Sequence, residues 1–170
     1  RTVRLSRHLL ALARSESAQS SSPATTVVGP VVAEAVQVYA PIAAARDVDI
    51  RQAAPCYAEV ASDPRDLGQI IGNLLDNALR YTAAGGRVDV SATADAGGVR
   101  IEIADEGPGL PESELENVFQ RFYRAPGDAT EGSGLGLAVV RGIVGRLGGR
   151  VRLANRADRS GLIVQLWLPG

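Results

Sequence analysis

Asp63-Pro-Arg-Asp66-Leu-Gly-Gln-Ile-Ile-Gly-Asn73-Leu-Leu-Asp-Asn77-Ala-Leu-Arg80-Tyr81 is the stretch from which the rest of the chain can be read. Asp63 is an N-cap residue, Pro64 suits the first helical position, and Asp66 adds a second carboxylate in the first turn. The helix they open should run to about Tyr81. At ~100° per residue, Leu67, Ile70, Ile71, Leu74, Leu75 and Ala78 fall within one arc, which should face a sheet. Asn73, Asn77 and Arg80 form a narrow stripe beside that arc, and Asp76 is expected on the far, solvent side. An amide oxygen is a hard neutral ligand suited to Mg²⁺, and a neighbouring cation suits phosphate oxygens. Every amphipathic helix also has polar residues at its margin, so the stripe alone leaves both readings open.

Downstream, two strands are expected at 87–94 and 98–104, joined at Gly97-Gly98. Val99, Ile101 and Ile103 alternate as an inward face, and the same parity carried two residues further reaches Asp105. A carboxylate turned inward at a strand end needs hydrogen-bond donors, and an exocyclic amine such as that of adenine is one. Gly107 and Gly109 follow at once and would let a flat ring approach the main chain. The competing reading is an ordinary Asp-Gly turn.

Residues 106–133 read mostly as loop, with a short helix around 112–122. A helix over 135–147 is closed by Gly148-Gly149. Final strands are expected at 150–154 and 162–168, where Leu162, Val164, Leu166 and Leu168 share one parity. Upstream, Thr26-Val27-Val28 is extended and leads through Gly29 into a helix with Pro30 near its first position. Val32, Ala35, Val36, Tyr39 and Ile42 repeat in it at helical spacing. Short strands are expected at 48–53 and 57–62, around Pro55. The fold class is therefore α+β, a two-layer sandwich with one mixed, mostly antiparallel sheet covered by helices on one face.

Gly132-Ser133-Gly134-Leu135-Gly136-Leu137 opens the 135–147 helix, whose first N–H groups and positive end are a natural phosphate site. The G-x-G-x-G spacing and the preceding polar loop do not match a dinucleotide fingerprint, and no Gly-Lys-Ser/Thr marks a P-loop. A formal net charge of −1 creates no global field for nucleic acid. Cys56 is the only cysteine, which excludes an internal disulfide and reads as a small packed hydrophobe. No apolar run reaches the ~18–20 residues that span a bilayer, so no direct membrane contact is expected. Residues 1–18 read as a helical stub with Leu5, Leu9 and Leu12 on one stripe. Residues 19–25 read as the end of a serine-rich flexible linker that starts at Ser15. A start at Arg1 reads as a piece of a longer protein.

The ordered motifs resemble those of the GHKL ATPases, specifically the catalytic domain of bacterial two-component sensor histidine kinases. Gln69 to Thr82 is similar to the N box, Asp105-Glu-Gly107-Pro-Gly109-Leu110 to the first glycine box, Val118 to Arg124 to the F box, and Gly132 to Leu137 to the second glycine box. The resemblance covers about residues 26–168, and the stub resembles the end of the second helix of a dimerisation and phosphoacceptor domain. It implies ATP and Mg²⁺ as cofactors, with ATP held in residues 26–170 under a lid at about 110–133. It implies Asn77 as the metal ligand, Asp105 as the adenine reader and the second glycine box at the phosphates. The implied nucleotide-binding set is Asn73, Asn77, Arg80, Tyr81, Asp105, Gly107, Gly109, Leu110, Gly132, Ser133, Gly134, Leu135, Gly136 and Leu137. Asn73, Arg121 and Arg124 are the implied catalytic residues.

As partners, the resemblance implies the protein's own phosphoacceptor domain and a response regulator, in a homodimeric parent sitting at the inner membrane with this domain in the cytoplasm. Ser160-Gly161 matches the third glycine box only in part, so no role is assigned there. His8 lacks the carboxylate that should follow a phosphoacceptor, so it reads as an ordinary helix residue and the acceptor is expected outside this chain. Two alternatives stay open: a regulatory module that binds nucleotide without kinase activity, and another GHKL branch such as a topoisomerase or mismatch-repair ATPase. The latter predicts a transducer domain, whereas Leu168-Pro169-Gly170 closes the sheet.

Overall fold

A computed structural model of the chain describes residues 25–124 and 133–170. In chain order the elements are β1 (Thr25–Val27), α1 (Val28–Ala44), β2 (Asp49–Gln52), β3 (Glu59–Ala61), α2 (Pro64–Tyr81), β4 (Arg87–Asp95), β5 (Gly98–Asp105), α3 (Gly136–Arg146), β6 (Arg150–Asn155) and β7 (Leu162–Pro169). The sequence-derived stub, His8, the linker up to residue 24, and Gly132 lie outside the described residues.

The main sheet has the order β2-β4-β5-β7-β6. Strand β2 runs parallel to β4 and the other neighbours are antiparallel. Helix α2 packs between α1 and α3 and over β5. It begins as its sequence dictates: Asp63 caps it by accepting from the Arg65 N–H at 2.8 Å. Leu67, Ile70, Ile71 and Leu75 are fully buried against Val99, Ile101, Leu166 and Leu168 on the inward parity of the sheet. Burial of each such side chain is worth about 1.5–3 kcal/mol.

Four details depart from the sequence reading. There are two sheets, because β1 pairs with β3 and not with the main sheet. The chain between β2 and β3 crosses the start of α1, where Gly29 N–H donates to the Cys56 carbonyl at 2.8 Å. A Cβ at Gly29 would lie 2.6 Å from that oxygen, so only glycine permits the crossing. Thr25, assigned to the linker, already pairs with Ala61.

Helix α1 starts at Val28, with Pro30 still inside the first turn where its missing N–H costs nothing. Ile42 is 43% exposed, and Ala43 takes the inward place. Eleven residues beyond Val32 complete just over three full turns, so Ala43 returns to the same face and Ile42 falls off it. Finally, 112–122 contains two single 3-10 turns, Glu112–Glu114 and Asn117–Phe119, instead of a helix. Only Phe119 in these turns is buried, so no apolar stripe exists to stabilise a longer helix.

Leu75→Ala should lower the unfolding free energy by about 2–5 kcal/mol, since it opens a cavity under the central helix. Urea denaturation followed by circular dichroism would measure it.

Candidate functional site

The stripe on α2 is positioned by the helix itself. Asn73 Nδ2 donates to the Gln69 carbonyl one turn back at 2.9 Å, which fixes the amide orientation. A Cβ at Gly136 would lie 3.6 Å from Asn73 Oδ1 and 3.8 Å from Asn77 Oδ1. Two neutral amide oxygens therefore face the first residue of α3, where backbone N–H groups lack helical partners and the helix end is positive. Leu135, just before it, is fully buried and anchors that terminus. Ser133 and Leu137 are half-buried beside it.

Gly134 has φ 67° and its carbonyl accepts from Phe122 N–H at 2.9 Å. A Cβ there would come within 2.8 Å of the Phe122 and Tyr123 main chain, so this glycine lets the two segments pass. Phe119 is held under the Arg141 guanidinium, 5.2 Å from its ring centroid, which ties this segment to α3. Arg121 and Arg124 lie on the surface of the same segment.

Arg80 differs from expectation. Its guanidinium bonds Asp76, one turn earlier on α2. Asp76 is half-buried and does not point to open solvent, because the long Arg80 side chain folds back over it. The cation is thus present at the end of the stripe but carries its own counter-ion.

Asp105 is 7% exposed, on the same inward parity as Val99, Ile101 and Ile103. Its Oδ1 accepts from Gly107 N–H at 2.8 Å and Leu162 N–H at 3.2 Å. Both bonds fall on one oxygen, which leaves Oδ2 for an incoming donor. Burial pushes the carboxyl above its ordinary range, against the pull of the two N–H groups and the Arg156 charge. Gly107 is confined between Asp105 Oδ1 and the Tyr81 carbonyl, which a Cβ would approach to 2.9 and 3.0 Å.

The turn between β6 and β7 is the part that the sequence reading left without a role. Ser160 Oγ donates to the Gly107 carbonyl at 2.7 Å. Gly161 has φ 138°, and a Cβ on it would sit 2.0 Å from the Asp105 carbonyl oxygen. Arg159 Nη1 reaches Glu106 Oε1 at 2.7 Å and holds that carboxyl below its usual range. Ser160-Gly161 hinted at a close backbone approach, but no local pattern names the partner 50 or so residues away.

The pattern describing the "Histidine kinase-, DNA gyrase B-, and HSP90-like ATPase" family matches residues 62–170. The chain belongs to this ATPase family. Within it, the chain is similar to sensor kinases. It is 34% identical, over 99% of its length, to 36% of the swarming motility regulation sensor protein RssA of Serratia marcescens. A structure of the mycobacterial sensor histidine kinase MprB matches 86% of the chain and 97% of its own, with TM-score 0.74 and 32% identity. Full-length ShkA in complex with AMPPNP matches 99% of this chain and 35% of its own, with TM-score 0.83 and 27% identity. The chain spans about a third or less of the length of the curated relatives it matches. The fold expected for a histidine kinase ATPase domain is the fold observed.

In this ATPase domain, Asp105→Asn should separate stability from binding. Asparagine keeps the acceptor for Gly107 and Leu162 and removes a charge that burial disfavours. A raised folded-state pKa means that stability is full below the unfolded pKa and is lost as pH rises through the folded one. The variant should therefore unfold at the same or a higher temperature at pH 7, with the gain shrinking toward acidic pH. The expectation that Asp105 accepts the adenine amine predicts that ATP affinity falls at least tenfold, because the new amide would present N–H to it, as it should for Asp105→Ala. Calorimetric titration with unchanged ATP binding would remove Asp105 from the site.

Proposed function

We propose that this chain is the ATP-binding catalytic part of a sensor histidine kinase, which donates the γ-phosphate of ATP to a histidine on a dimerisation domain. The observation that carries the reading is the convergence of Asn73 Oδ1 and Asn77 Oδ1 on the start of α3. The buried Asp105 adds an acceptor for a base to the hard-ligand oxygens of the two amides, which supports reading them as two parts of one nucleotide site. The similarity to sensor kinases over nearly the whole chain supports it, as does the ShkA complex with AMPPNP. Relay to a response-regulator aspartate, a homodimeric parent and a cytoplasmic location at the inner membrane belong to the same proposal. No described helix is long and apolar enough to cross a membrane.

Among the described residues no group of three or more His, Cys, Asp or Glu could hold a metal ion. The residues present nevertheless fit Mg²⁺, which uses one or two protein oxygens and takes the rest from water and phosphate. Asn77 would hold it, with Asn73 beside it, and the ion would neutralise developing phosphate charge. The protein's own work is positional. Asp105 accepts the adenine amine, the first N–H groups of α3 receive phosphate oxygens, and Arg121 and Arg124 come from the segment packed on α3. In the transfer the bond from the γ-phosphorus to its bridging oxygen breaks, a bond to an imidazole nitrogen forms, and ADP leaves. Arg80 can join the phosphate contacts after releasing Asp76.

Mixing the chain with a separate histidine-bearing dimerisation domain and γ-labelled ATP should give an acid-labile label on that domain and none on the chain alone. Retained ATP binding without transfer would favour a regulatory nucleotide-binding module. Asn77→Ala should chiefly abolish the magnesium dependence of ATP binding, measured by titration with and without the metal.

A further inference from the structure

We infer that Asn155 is a positioning residue that sets base specificity in the pocket, an inference that rests on the ATP site proposed above. Asn155 is the last residue of β6. Its Oδ1 accepts from Leu110 N–H at 2.9 Å, and its Nδ2 donates to the Leu110 carbonyl at 2.7 Å. One side-chain amide thus binds both main-chain groups of one residue, mimicking a strand partner across 45 positions of sequence.

The site is shaped for this contact. Gly109 has φ 74°, and a Cβ on it would lie 2.7 Å from Asn155 Oδ1. Glycine at 109 therefore serves two needs: the left-handed turn and the room for the Asn155 amide.

The rest of the β6–β7 connection holds the beginning of the same run. Leu162 N–H binds Asp105, Arg159 binds Glu106, and Ser160 binds the Gly107 carbonyl. Asn155 ties its other end. The run from Asp105 to Leu110 is thereby held at both ends by the β6–β7 connection, with Asp105 fixed at one of them.

The chemistry requires asparagine in particular. Aspartate keeps the acceptor and loses the donor, and alanine loses both. Asn155 is solvent-exposed, so water can replace its bonds and the fold does not depend on them. What water cannot replace is the fixed distance between Asp105 and the Gly109–Leu110 main chain. A carboxylate distinguishes adenine from guanine by position: it meets the donor N6 amine of one and the acceptor O6 of the other. If the far end of that run can shift relative to Asp105, the base can slide, and that distinction weakens.

The test uses the chain as it stands, with Asn155→Ala and Asn155→Asp. Competition of ATP and of GTP against a fluorescent ATP analogue gives both affinities, and thermal unfolding gives stability. Asn155→Ala should weaken ATP about tenfold and GTP less than about twofold, so that the ATP-to-GTP preference collapses while the unfolding midpoint holds. Asn155→Asp should fall between it and the parent. An equal loss for both nucleotides with a lowered midpoint would make Asn155 a structural brace and overturn the inference. Unchanged affinities would overturn it too. If the parent chain binds ATP in the same titration, such a failure concerns Asn155 alone; a parent that binds neither nucleotide would overturn the ATP site as well.

Discussion

A carboxylate buried at the end of a strand governs how this molecule is built around its site. Asp105 follows Val99, Ile101 and Ile103 on the inward parity of β5, so sheet geometry carries it into the protein. Burial disfavours its charge, and only nearby donors can compensate. Those donors are backbone groups from two directions: Gly107, two residues on, and Leu162, at the start of β7. Meeting that need brings the β6–β7 turn against the first glycine run. It also explains why Gly161 has to be glycine, since any side chain there would strike the Asp105 carbonyl.

The other end of the site depends on helix packing. Burial of the α2 stripe against β5 leaves Asn73 and Asn77 at the margin of the helix, and packing of α3 beside α2 brings Gly136 to within reach of both amides. Neither helix makes a site alone. Polar marginal residues are ordinary on α2, and an unpartnered terminus is ordinary on α3. Their juxtaposition sets amide oxygens opposite N–H donors, the polarity on which the proposed phosphate site rests.

The same packing explains the outcome for charges. Eighteen basic and nineteen acidic residues are nearly balanced, and near the candidate site residues they are paired at short range. Arg80 bonds Asp76, Arg159 bonds Glu106 and Asp158, and Arg141 reaches Glu116 while covering Phe119. Surface pairs of this kind contribute little stability. Their effect here is local: they orient the segments on which the candidate site residues sit.

Much was legible from sequence alone, because it depended on local periodicity. The span of α2, its Asp63 cap, the parity that turns Asp105 inward and the glycine stop after α3 all follow from spacing along one element. The ordered motifs also pointed to the family. What failed were features that depend on side-chain conformation or on packing, which the spacing of residue types does not show. The pairing of β3 with β1 follows from the crossing at Gly29, Asp76 is drawn in by Arg80, and 112–122 lacks a surface on which a helix could pack. The clasp of Ser160, Gly161 and Asn155 on the Asp105-to-Leu110 run was equally hidden. Sequence by itself determined which residues would form each element and which face each would bury, since periodicity is a property of one helix or strand. Only the tertiary structure decided which groups from the remote β6–β7 connection would satisfy Asp105 and hold the run that follows it, because those bonds have no local signature.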